Sequence, residues 1–190
     1  WSTIQDATSS LQKIDPSNQL AIAALVNLLD TAQKDSDLDV AVQALGSFAT
    51  GNKAAIASLT KLIDSIEEDN DFLRYTASQL GSIDPGNQKA IYTLVAFIQT
   101  FDEWNSREVN NAATFQWRSH RDSPLLEAAN ELQQIFLVNQ MPQVVVALKD
   151  YLSKSNWDNS YRYEACYRVI WHCAQNMTYP DFYAAWHRLP

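Results

Sequence analysis

Positive charge is in short supply. Fourteen lysines and arginines face 22 aspartates and glutamates over 190 residues, a net charge of −8. Phosphate backbones are held by clustered Lys and Arg, so the balance argues against a nucleic-acid partner and against an anionic membrane face. No apolar run approaches the roughly 20 residues that span a bilayer, and no secretory signal opens the chain, which begins at Trp1 as a piece of a longer protein would. Cysteine is scarce: only Cys166 and Cys173 occur. On one helix their Cα atoms would lie about 10 Å apart, beyond the ~7 Å a disulfide tolerates, so free thiols and a cytoplasmic setting are expected. What remains is 46% hydrophobic and rich in aromatics, with 6 Trp, 8 Tyr and 7 Phe. That much apolar material excludes disorder and suffices for one domain over residues 1–190 with a sizeable core.

An internal repeat decides the fold class. Leu11 to Asn18, Leu45 to Asn52 and Leu80 to Asn87 align, and each is followed by an Ala-Ile pair and a Leu: Ala21-Ile22 and Leu25, Ala55-Ile56 and Leu59, Ala90-Ile91 and Leu94. Apolar residues recur at i, i+3, i+4, i+7 as Leu38, Ala41, Val42 and Leu45, and again as Ile91, Leu94, Val95 and Ile98. Each repeat therefore reads as two amphipathic helices. The Asp-Pro-Ser/Gly-Asn turn separates them, with Gly86 free to take positive φ and Asn18, Asn52 and Asn87 placed as N-caps. A single hairpin cannot bury its stripe, so neighbours must stack into an all-α superhelix, an α-solenoid of about five repeats.

Residues 1–100 carry the regular repeats, and residues 123–190 follow the same plan less tidily. A helix is expected over Leu125 to Phe136, its partner over Val144 to Leu152 after Pro142, another helix over Tyr161 to Gln175, and a short one from Pro180 to Trp186. Most aromatics fall after residue 100, where bulky side chains would cap the exposed end of the array. Residues 101–122 are an insertion or a degenerate repeat.

Tetratricopeptide and ankyrin signatures are absent. The run Ala77 to Leu94, with Leu80-Gly81-Ser82-Ile83-Asp84-Pro85-Gly86-Asn87 at its centre, resembles short HEAT-like repeats of cyanobacterial proteins, including those of phycobilin lyases. Met141 to Leu152, Tyr163 to Pro180 and Phe182 to His187 resemble the carboxy-terminal end of cyanobacterial NACHT-family NTPases. This resemblance implies a repeat array that senses a ligand or restrains an amino-terminal NTPase switch. Its partner would be another protein or the rest of its own chain. The phosphate-binding Gly-x-x-x-x-Gly-Lys-Ser/Thr motif is missing from these 190 residues, so no nucleotide chemistry transfers to them. A lyase-like repeat protein and a stand-alone adaptor are the alternatives, the first implying a bilin adduct that absorbs in the orange-red.

No catalytic, cofactor or metal constellation emerges. Asp35-Ser36-Asp37-Leu38-Asp39 opens like a calcium loop but has Val40 where Gly is required and Gly46 where a bidentate Glu is required. Its acids, like those of Glu67 to Asp71, suit a helix start instead. Cys166, Val169, Ile170 and Cys173 share one helical face, and His172 points away from it, so packed thiols are expected rather than a metal site. Ser119, His120 and Asp122 are sequence neighbours with no nucleophile turn, and read as a polar loop. Trp104, Trp117, Arg118 and Arg121 have the composition of an interaction patch, although the tryptophans would equally pin the insertion onto the array. Tyr92 and Lys61 are expected on the exposed side of second helices.

Overall fold

Asparagine side chains start the second helices. The Asn52 Oδ1 accepts from the backbone N–H of Ala54 and Ala55 at 3.0 and 3.1 Å, and Asn87 serves Lys89 and Ala90 in the same way. Asn18 caps through Ala21. These bonds satisfy amides that no helical carbonyl can reach. In the computed structural model, which describes residues 18–32, 35–66, 71–101, 123–153 and 160–188, nine α-helices follow and no strand occurs among the described residues. They are α1 (Gln19–Thr31), α2 (Asp35–Phe48), α3 (Lys53–Ser65), α4 (Asp71–Ile83), α5 (Gln88–Thr100), α6 (Pro124–Ile135), α7 (Met141–Leu148), α8 (Ser160–Asn176) and α9 (Tyr179–His187). The expected partner helix up to Leu152 is α-helical only to Leu148 and ends as a 3-10 turn over Lys149–Leu152. No helix among the described residues is long and apolar enough to cross a membrane.

The helices stack in two rows as an α-α superhelix. First helices α2, α4, α6 and α8 pack in succession, and each of α4, α6 and α8 also lies on the second helix of the hairpin before it. Every hairpin thus offers a groove between its two helices, and the next first helix fills it. The repeated stripes supply the core: Ala41, Val42, Leu45, Ala77, Leu80 and Leu94 are fully inaccessible to solvent. The array passes directly from α4 and α5 to α6; residues 102–122, which separate the two in sequence, lie outside the described residues.

Turns are tied between hairpins. Gly51 N–H donates to the Ile83 carbonyl and Gly86 N–H to the Ile135 carbonyl, both at 2.7 Å. Gly51 and Gly86 hold φ of 70° and 85°, a region that a Cβ makes costly. The fourth turn has no glycine. There the buried Gln140 accepts from Leu137 N–H and donates to the Gly86 carbonyl at 2.7 Å, stitching the third turn to the fourth. Arg162 performs a similar service further on, donating to the Ile98 and Phe101 carbonyls at the end of α5.

One polar knot sits between α4 and α6. Arg74 is buried, and its guanidinium contacts Asp71 at 2.7 Å, Glu127 at 2.7 Å and Glu131. Burial alone would lower the Arg74 pKa, but Glu131 and Asp71 outweigh it and hold the guanidinium firmly charged. Burial also pushes the Glu131 carboxyl above its usual range, against the pull of Arg74.

Candidate functional site

The sequence-level candidates divide by location. Trp104, Trp117, Arg118 and Arg121, together with Ser119, His120 and Asp122, lie outside the described residues. The acids from Asp35 to Asp39 belong to the opening turns of α2, not to a loop, and Asp71 stands in the first turn of α4. Among the described residues no three His, Cys, Asp or Glu side chains gather to hold a metal ion. Lys61 is exposed and reaches Asp30 on α1 at 3.2 Å, while Tyr92 is exposed on the outside of α5.

The cysteines and histidines of the last hairpin lie apart: the cysteines are buried, His172 is half-buried and His187 is exposed. Cys166 and Cys173 are free, buried thiols on the same face as Val169 and Ile170. Burial pushes both thiols up to about 12, with Arg162 partly opposing this at Cys166. Thiolate is thereby suppressed, which makes both poor nucleophiles at neutral pH. His172 sits edge-on to Phe136 with centroids 5.7 Å apart, and His187 rests on Tyr183 at 4.2 Å.

The outer side of the same hairpin is different. Tyr167, Trp171, Tyr179, Tyr183 and Trp186 were expected to close the core, yet Trp171 remains 53% exposed and Tyr179 77%. Helical spacing arranges them in ladders. Tyr167 stacks on Trp171 at 6.1 Å along α8, and on α9 Phe182 stacks on Trp186 at 5.9 Å. Between the ladders lies a groove of about 340 Å³, walled by Tyr167, Ile170 and Trp171 on one side and Phe182, Tyr183 and Trp186 on the other. Its lining is almost wholly apolar. Lys149 fixes its far end, donating to the Trp186 carbonyl at 2.7 Å and to that of Arg188, and so caps α9.

Among the described residues no carboxylate, histidine or thiol lines this groove, and its apolar walls suit it to bind apolar surface. Large aromatics with a rigid backbone behind them are the side chains most often found as binding hot spots. The signal was in the sequence: Tyr167/Trp171, Tyr179/Tyr183 and Phe182/Trp186 are three i, i+4 aromatic pairs within twenty residues. Their number on two adjacent helices exceeds what one buried face absorbs, and Tyr167, Trp171, Tyr179 and Tyr183 face solvent.

A family described as NACHT C-terminal Cysteine and Histidine-containing matches residues 159–187, which covers α8 and α9. No curated protein and no solved structure matches the chain.

Proposed function

We propose that this chain is a non-enzymatic helical-repeat array serving a NACHT-type protein, and that it docks a partner protein, or another part of its own chain, through the outer face of its last hairpin. One observation carries the reading: the segment matching the NACHT-associated family is the same hairpin that bears the unfilled aromatic groove. The stacked hairpins are its rigid support, and rigid elements hold a binding face more precisely than loops do. Two free, unreactive thiols suit a reducing cytoplasm.

Two experiments test the two halves of this reading. The coding sequence upstream of Trp1 should encode a strand followed by Gly-x-x-x-x-Gly-Lys-Ser/Thr; a start codon with no such motif refutes the NACHT connection. Trp171→Gln in the full-length protein should alter its nucleotide-dependent assembly, read by mass photometry. Trp171 is half exposed, so the fold does not depend on it. An unchanged mass distribution would refute the docking role.

A further inference from the structure

The unfilled groove is the array's own inter-hairpin groove repeated once more. On α4, Leu73, Thr76, Ala77 and Leu80 form the buried stripe; on α8, Cys166, Val169, Ile170 and Cys173 stand at the same spacing and are equally buried. That register pairs Arg74 with Tyr167, Ser78 with Trp171 and Gly81 with Ala174. On α4 these positions receive the next helix: Arg74 binds Glu127 and Glu131 of α6, and Gly81 lies against Ile135. On α8 their counterparts line the open groove. The second helices agree. Ile91 and Val95, the fourth and eighth residues after the cap of α5, are buried; Phe182 and Trp186, at the same distance from the cap of α9, wall the groove.

Building on the docking role proposed above, we infer that the partner enters as an amphipathic α-helix, seated where the first helix of another hairpin would lie. Each preceding groove is filled by a helix, and the matching positions on α8 and α9 line the next groove of the stack. The substitutions define the helix. Tyr167 in place of Arg74 removes the cation that demands two glutamates from α6, so the incoming helix needs no acid there. Trp171 in place of Ser78 thickens the wall, which favours Ala and small aliphatic residues on the contacting stripe, packed against ring faces.

The test uses the full 190-residue chain and a synthetic amphipathic peptide of about 18 residues, long enough to be helical. It carries Leu and Ala on one face and Lys and Gln on the other; a control of the same composition has a central Pro. Titration followed by backbone amide NMR shifts should saturate, with the largest shifts in α8 and α9. Trp171→Gln should weaken binding roughly tenfold or more, and Tyr92→Gln, outside the groove, should leave it intact. Equal binding of the Pro control, or no effect of Trp171→Gln, would overturn the inference. So would concentration-dependent self-association of the chain that Trp171→Gln abolishes, because a second copy would then be the occupant. If the peptide fails while Trp171→Gln still alters assembly of the full-length protein, the docking role stands and the helical occupant is wrong.

Discussion

Replacing Arg74 with Met removes the one cation that three carboxylates share between α4 and α6. The cost follows from what is left behind. Asp71 and Glu127 are 42% and 44% exposed and can rehydrate where they stand. Glu131 cannot: its side chain is 21% exposed, and its buried Oε2 has no hydrogen-bond partner among the described residues even with Arg74 present. One stranded carboxylate places the loss near the bottom of the range for breaking a buried pair, about 3 kcal/mol. For a chain of this size that corresponds to a fall in Tm of roughly 6–12 °C. Urea unfolding followed by tryptophan fluorescence measures it. The reasoning also fixes a second result: Arg74→Met with Glu131→Leu should recover about 2 kcal/mol, since the stranded charge is gone. A loss below about 1 kcal/mol in the single variant, or a double variant no more stable than the single, would refute it.

Other outcomes follow from packing and protonation. Gly81→Ala gains helix propensity, but its Cβ would meet Ile135 Cγ2 at 2.6 Å in a filled core, so a net loss of about 1–2 kcal/mol is expected by urea titration; a stabilised variant contradicts it. Leu94→Ala empties a site with no solvent access and should cost about 2–5 kcal/mol, with an unchanged midpoint refuting the stacked core. Cys166 and Cys173, with pKa values raised by burial, add stability that is fully present below the ordinary thiol range and is lost as pH climbs toward about 12. Iodoacetamide at pH 8 should therefore label them only as the chain unfolds, and rapid labelling of the folded chain would contradict their burial. Asn87→Ala should lose about 1 kcal/mol at the start of α5, visible in the same titration, and no change would mean that the cap bonds contribute nothing.

The fold was legible because its rules are local and repeated. Leu80, Ile91, Leu94 and Ile98 stand on faces that a 3.6-residue period defines, and Asn87 and Gly86 sit where a cap and a left-handed turn require them. Long-range pairings were not legible. Nothing in the spacing of Arg74 announces Glu127 and Glu131, because that contact arises only when α6, more than fifty residues on, enters the groove. Gln140 was missed for the same reason: it replaces a glycine turn by reaching back to Gly86, a bond between hairpins. The aromatic groove was half visible. The i, i+4 pairs on α8 and α9 were countable, yet whether they closed a core or faced solvent depended on which side of α8 the stack occupied. The stack takes Cys166 and Cys173, which leaves Tyr167 and Trp171 outside.

A cryo-electron microscopy structure of the full-length protein in its assembled state tests the central claim most directly. The account predicts a helix lying along the groove between α8 and α9, in contact with Tyr167, Trp171 and Trp186. A bare, solvent-facing groove, with the array's contacts made elsewhere on its surface, would contradict it.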